Sequence, residues 1–170
     1  MSSIPANPSN SLCSSCGMCC DGTLFHSVVL QPNDSPTTLS SLGLILKRKK
    51  GAISFRQPCP AHQNNQCGIY ENRPHRCRIF QCQQLLQVSS GTLSQTQALE
   101  TIRSTREKIK QVDQLIGKIT ETNPSHGLTQ RAATALAITP TTPLHAELTL
   151  AMDELNQALN EQFRVPEESR

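Results

Sequence analysis

Eight cysteines lie between residues 13 and 82, and residues 83–170 contain none. They are Cys13, Cys16, Cys19, Cys20, Cys59, Cys67, Cys77 and Cys82. Cysteines concentrated in this way are metal ligands, redox groups or disulfide partners. Large apolar side chains are scarce, because only 3% of the chain is aromatic and there is no Trp. A small segment with so thin a core usually needs a metal or disulfides to fold.

The rest of the sequence favours metal over disulfides. Residues 1–12 are rich in Ser, Asn and Pro and lack the basic and apolar regions of a secretory signal. The longest apolar stretch, near residues 42–46, is far shorter than the ~20 residues that a membrane helix needs. We therefore expect a cytoplasmic protein with no membrane contact. Because stable disulfides are rare in a reducing cytosol, the cysteines are expected to bind metal.

The early cysteines have the spacing of a chelating turn. Two residues separate Cys13 from Cys16 and Cys16 from Cys19, so each pair can turn back on one ion while backbone amides donate to the sulfurs. Gly17 permits the positive φ that such a turn often needs. Cys19 and Cys20 are adjacent, and neighbouring side chains generally diverge. We therefore expect these two to serve different metals or different roles.

Two arrangements of the eight sulfurs stay open at this point. They could form two tetrahedral zinc sites, or one four-cysteine iron–sulfur cluster with spare thiols. The run from Cys13 to Cys19 with the remote Cys59-Pro60 partly matches the bacterial ferredoxin pattern. A histidine could also replace a cysteine as ligand. The histidines within the segment are His26, His62 and His75.

Taken together, three pieces of sequence resemble a known family. They are the motif C-x2-C-G-x-C-C at residues 13–20, the dipeptide Cys59-Pro60, and the block CGIYENRPHRCRIFQC at residues 67–82. They resemble the YkgJ-type cysteine-cluster family, a CxxCxxCC domain associated with zinc or iron chelation, over about residues 12–85. The resemblance implies that the eight cysteines bind zinc or iron, with a [4Fe-4S] cluster as one form. A similar cluster accompanies flagellin lysine N-methylases, so an enzymatic role stays open, although the sequence has no glycine motif for S-adenosylmethionine.

The charge distribution fits an anionic metal centre. Residues 1–90 contain eight Lys and Arg against three Asp and Glu, whereas residues 91–170 contain eight against ten. Eight thiolates with two divalent ions would add about −4, so the excess of positive charge lies where such a site requires it. Arg73 and Arg78 are expected to hydrogen-bond the sulfurs and offset their charge from just outside the ligand sphere.

The remaining sequence predicts a mainly α protein. A strand is expected over residues 24–30, a short helix from residue 35 to about 46, and loops over 58–82. Apolar residues at three- and four-residue steps predict helices over about 93–120 and 143–163, with a short Ala-rich helix over 128–138. We expect these helices to form an antiparallel hairpin that packs against the cysteine segment; the alternative is a dimerisation coiled coil.

The predicted fold is thus mainly α, with a small irregular, metal-organised cysteine segment containing short strands and a C-terminal helical hairpin. The predicted domains are a disordered tail at 1–11, a metal-binding domain at 12–90 and a helical extension at 91–170. The function expected is metal binding in a structural or metal-handling role, with a protein partner reached through the C-terminal helices. The alternatives are an iron–sulfur redox or transferase enzyme and a nucleic-acid-binding zinc module. The run Lys47 to Lys50 is the only support for the last, and nucleic acid is not the favoured partner.

Overall fold

The computed structural model describes residues 8–165 of the 170, and their side chains from residue 12 onward. The α-helices are α1 (Pro8–Cys16), α2 (Pro36–Ser41), α3 (His75–Ile79), α4 (Gln83–Ser89), α5 (Gln95–Ile119), α6 (Leu128–Leu136) and α7 (Pro143–Gln162). The strands are β1 (Ser27–Val29), β2 (Leu46–Lys49), β3 (Ala52–Arg56), β4 (His62–Gln63) and β5 (Gln66–Cys67), and a 3-10 turn covers Tyr70–Asn72. The mainly α prediction with a few short strands is therefore confirmed.

Three helices, rather than a two-helix hairpin, make up the C-terminal half. Helix α5 begins with a capping box, in which Ser94 and Gln97 satisfy each other's backbone amides. Helices α5 and α7 run antiparallel, because Lys108 pairs with Glu154 while Leu115 faces the same groove as Ala151. Helix α6 packs on both of them. The expected antiparallel pair is present, and the predicted Ala-rich helix packs against both of its helices.

The main core joins this helical unit to the cysteine segment. Its buried residues come from α1, the loop after it, and helices α4 to α7. Ile102, Val112 and Ile116, which are at most 3% exposed, lie in this core. Met18, from the loop between the early cysteines, is fully buried in the same cluster. The apolar stripe of α5 is thus used within the chain, in agreement with the first of the two predictions for it.

A three-stranded antiparallel sheet forms the smaller second core. Strand β3 is central, with β1 and β2 on either side, and Phe55 of β3 is paired with both Val28 and Leu46. Phe55 packs with Leu39 of α2 and with Ile69. The second hairpin, β4–β5, pairs His62 with Cys67. These elements position the later cysteines.

Three local predictions differ from the structure. The helix predicted to reach residue 46 ends at Ser41, because Gly43 turns the chain with φ of +92° and residues 46–49 then pair with β3. The expected strand over 24–30 is reduced to β1. Residues 8–11, assigned to a disordered tail, are the first residues of α1; the rest of that tail, residues 1–7, lies outside the described residues.

Candidate metal centre

The early cysteines occupy the end of α1 and the tight turn that follows it. Cys13 and Cys16 lie on the helix, which ends at Gly17 with φ of +65°. The Gly17 N–H donates to the Cys13 carbonyl at 3.0 Å, and the Cys20 N–H donates to the Gly17 carbonyl at 2.9 Å. The predicted role of Gly17 is therefore confirmed: a left-handed residue reverses the chain between Cys16 and Cys19.

The later cysteines come from four different local structures. The Cys59 N–H donates to the Cys20 carbonyl at 2.8 Å, so the first of them lies directly beside the early turn. Cys67 ends β5 and Cys77 lies in α3. Cys82 is the residue that precedes α4, and α4 packs against α1. Loops and short elements thus carry all four back to the start of the domain.

The eight thiols divide into two groups. In the first group, Cys16, Cys19 and Cys82 pack at the main core, and the charge of Cys82 acts on both Cys13 and Cys16. In the second group, Cys59, Cys67 and Cys77 pack at the smaller core, and all three act on Cys20. The first group is Cys13, Cys16, Cys19 and Cys82, and the second group is Cys20, Cys59, Cys67 and Cys77. Burial raises the pKa of Cys19, and the charge of Cys20 raises it as well, so these two adjacent thiols are also close to each other. That they serve different metals stays a prediction.

Backbone amides donate to several of the sulfurs. The sulfur of Cys16 accepts from the Met18 N–H, and that of Cys59 accepts from the Ala61 and His62 N–H groups. Burial raises the pKa of Cys82, and the amides of Gln84 and Leu85 near the start of α4 partly oppose that rise. Amide donors favour the thiolate over the thiol. Of these amides, that of Met18 lies within the C-x2-C turn for which such donors are predicted.

Burial opposes ionisation of these thiols. Burial, with a smaller contribution from neighbouring thiolates, raises the pKa of Cys16, Cys20 and Cys77 to about 12. The pKa of Cys19 lies well above its usual value, again mainly because of burial. Four thiolates cannot be held together in such surroundings without a compensating positive charge. A coordinated divalent cation supplies that charge and deprotonates the thiols that bind it.

The thiols of a group are neighbours without being at ligand distance from one another. In the described part of the chain, no three His, Cys, Asp or Glu side chains are close enough to bind one ion. The donor set nevertheless fits zinc or iron, because soft thiolate ligands in sets of four are what both metals bind in proteins. Binding would therefore require the side chains of a group to draw together around the ion.

The two predicted arginines have different surroundings. Arg73 lies over the ring of Tyr70, with its guanidinium carbon 3.7 Å from the ring centroid. Burial raises the pKa of Cys13 and Cys77, and the charge of Arg73 partly opposes that rise at both thiols. The exposed Arg78 instead donates from Nε to the Arg73 carbonyl at 2.8 Å. Arg73 is thus near one thiol of each group, while Arg78 supports its backbone.

Sequence reasoning missed a polar cluster beside the two groups. Arg106 of α5 forms an ion pair of 2.6 Å with Asp21, the residue after Cys20. Burial lowers the pKa of His62 and its Nε2 is buried without a hydrogen-bond partner among the described residues, whereas His26 and His75 are exposed. Nothing in a helix with many charged residues distinguishes Arg106, because its importance depends on which face of α5 meets the cysteine turn.

The basic run Lys47 to Lys50 lies outside this centre. It forms the end of β2 and the start of the turn into β3, where all four side chains are exposed. None of the described helices is both long enough and apolar enough to cross a membrane.

Comparison with protein families identifies one match. Residues 12–101, just over half of the chain, match the CxxCxxCC family model, whose description is "Putative zinc- or iron-chelating domain". The match includes all eight cysteines and the first residues of α5, and it supports a metal-binding role. Comparisons with curated proteins and with solved structures found no match.

Proposed function

Because the chain belongs to the CxxCxxCC family of zinc- or iron-chelating domains, we propose that it binds two metal centres, one in each four-cysteine group. Each centre takes four thiolates, the complement of a structural zinc site or of a four-cysteine iron–sulfur cluster. The observation that carries this proposal is the division of the eight thiols into two sets of four, each beside its own core. The amides directed at Cys16, Cys59 and Cys82 support it.

The role proposed for these centres is to organise the domain or to handle the metal itself. Structural metal binding contributes folding free energy directly, because the unfolded chain has no preformed site. The first group joins α1 to α4, and the second joins the early turn to β5 and α3. Ions bound there would add direct links between elements that already pack at the two cores. Zinc satisfies this role with tetrahedral sulfur coordination alone.

Metal analysis of the full chain purified without oxygen tests the proposal. We expect two zinc ions per chain in a colourless preparation. A brown preparation that dithionite bleaches would instead identify iron–sulfur clusters in the same two groups and favour the redox or transferase alternative. A chain with no bound metal, or one that takes up no added zinc after chelator treatment, would contradict the proposal.

Paired cysteine variants test the division into groups. Cys16→Ser with Cys82→Ser removes two ligands from the first group and should leave one ion per chain. Cys16→Ser with Cys77→Ser removes one ligand from each group, so both sites should weaken strongly. The two double variants lose the same number of thiols and are therefore matched controls for each other. Equal metal content and affinity in both would contradict the proposed ligand sets.

A further inference from the structure

Arg106 is a residue of the helical unit that contacts two of the loops beside the cysteines. It lies on α5, beyond the residues that match the family. Its Nη1 donates to Asp21 Oδ2 at 2.6 Å, and its Nη2 donates to Asn65 Oδ1 at 3.2 Å. The guanidinium thus joins two segments of the chain that are far apart in sequence.

The first of these contacts fixes the turn that carries ligands of both groups. Asp21 directly follows Cys19 and Cys20, which belong to different groups. The other oxygen of Asp21 accepts from the Thr23 N–H at 2.9 Å, and the Asp21 N–H donates to the Gly17 carbonyl at 3.0 Å. With both carboxylate oxygens engaged, the turn has little freedom to rotate its two cysteines apart.

The second contact fixes the β4–β5 turn, which leads into the second group. Asn64 and Asn65 form this turn with φ of +50° and +58°, and Cys67 follows two residues later. Between the two contacts lies Gly17, where a side chain would meet Arg106 Nη2 and His62 Nε2 at 3.0 Å. The early turn, the β4–β5 turn and α5 therefore meet at a single guanidinium.

We propose that Arg106 is a positioning residue for the metal centres, which aligns the Cys19–Cys20 turn with the β4–β5 turn and so couples the two cysteine groups. This inference depends on the proposed function, because the coupling acts on metal binding. It assigns to the C-terminal helices a direct part in building the centre. Residues that orient metal ligands without touching the metal typically change affinity 10- to 100-fold when they are removed.

An ordinary ion pair would behave differently. The side chains of Arg106 and Asp21 are 27% and 23% exposed, and a partly exposed pair contributes little to stability by itself. If Arg106 were only such a pair, its loss would lower the melting temperature slightly and leave metal affinity unchanged. Metal affinity is therefore the measurement that separates the two explanations.

The first experiment compares two arginines of the same helix. Arg106→Met should weaken zinc binding about 10- to 100-fold, measured by competition with a chromophoric chelator in the full chain. Arg103→Met is the matched control, because Arg103 is exposed and its ion pair is with Glu100, one turn away on the same helix. Arg106→Lys keeps the charge but cannot donate in a fork, so it should restore only part of the affinity. Wild-type affinity in Arg106→Met would overturn the proposal.

The second experiment leaves the helix intact, in case Arg106→Met does not fold. Asn65→Gly removes the amide that Arg106 contacts and retains the left-handed backbone; Asn64→Gly makes the same change one residue earlier, away from Arg106. Cobalt titration of each should show one of the two ions weakened at least about 10-fold in Asn65→Gly, with an altered absorption spectrum, and both ions unchanged in Asn64→Gly. Identical titrations for the two variants would overturn the coupling.

The two proposals can fail separately. A wild-type chain that binds no metal contradicts the proposed function before any variant is made, and the coupling falls with it. A wild-type chain that binds two ions, together with unaltered affinity in Arg106→Met or in Asn65→Gly, contradicts the coupling alone.

Discussion

At the scale of single residues, the cysteine thiols combine two opposing influences. Backbone amides of Met18 and of the start of α4 favour thiolates, while burial favours neutral thiols. Burial has the larger effect, since it is the first cause of the raised pKa at Cys16, Cys20 and Cys77. These groups are therefore prepared to bind a cation and are not suited to exist as free thiolates.

This balance predicts how the stability of the chelator-treated chain depends on pH. Burial raises the pKa of Cys16, Cys20 and Cys77 in the folded chain from the ordinary value of 9.0 to about 12. The unfolded state therefore loses protons first, and stability should be unaffected by these groups below about pH 9 and fall as pH rises toward 12. Urea denaturation at increasing pH measures this effect.

Lysines also titrate in that range, so a control is needed. Cys20→Ser removes one of the buried thiols and should reduce the alkaline loss of stability relative to the unsubstituted chain. A free energy of unfolding that stays constant or rises from pH 9 upward would contradict the prediction. With zinc bound, the free energy of unfolding should instead fall as the pH is lowered, because coordination requires deprotonated sulfur.

The sequence predicts the residue chemistry well and its surroundings poorly. The eight cysteines and the role of Gly17 follow from spacing, because each depends only on local geometry. Spacing does not predict which later cysteine lies near which early one, since Cys82 reaches the first group only through the packing of α4 on α1. The contacts of Arg106 and the burial of His62 likewise depend on tertiary structure.

At the scale of secondary-structure elements, the end of α7 fixes the start of α4. The Gln83 N–H donates to the Phe163 carbonyl at 3.0 Å, and Gln84 Nε2 donates to the Gln162 carbonyl at 2.9 Å. Gln84 is only 1% exposed. Because Cys82 immediately precedes α4, the last turn of the C-terminal helix determines where this sulfur lies.

Gln84→Ala should therefore destabilise the chain. It removes the hydrogen bond to the Gln162 carbonyl and the packing of a side chain that is 1% exposed, a change that costs about 1–3 kcal/mol. Gln87→Ala, on the same helix but less buried, should change the free energy of unfolding by less than about 0.5 kcal/mol. Urea denaturation of both variants measures the difference. Equal stabilities would mean that the contact between α4 and α7 is not needed to hold α4.

The helices themselves illustrate where sequence patterns suffice. Helices α5 and α7 lie within two residues of their predicted bounds, because long amphipathic stripes with clear caps are decided locally. The helix predicted to reach residue 46 is shorter because pairing of β2 with β3 decides that segment. The strand propensity of this segment alone does not predict that it pairs with β3.

At the scale of the whole molecule, metal binding should change the net charge. The chain has a formal charge of +3 with neutral thiols. Eight thiolates around two divalent ions add about −4, so the loaded chain should have a net charge of about −1 and focus below its sequence pI of about 8.5. Isoelectric focusing with and without zinc measures the shift.

Alkylated protein provides the control for this measurement. Iodoacetamide converts the thiols to neutral groups that cannot coordinate zinc, so the alkylated chain should focus at the same position with or without the metal. If the unmodified chain bound two ions and its focusing position did not move, ligands other than thiolates would have to hold them.

The proposed division of the sulfurs would also decide how the centre can be taken apart. Each proposed group takes three sulfurs from one region and one from the other: Cys82 completes the set that begins at Cys13, and Cys20 completes the set that ends at Cys77. A synthetic peptide spanning 58–82 would contain four cysteines, but three belong to the second group and one to the first. No fragment shorter than residues 20–77 contains all four cysteines of either group. The two proposed groups therefore overlap along the sequence and cannot be separated into independent modules.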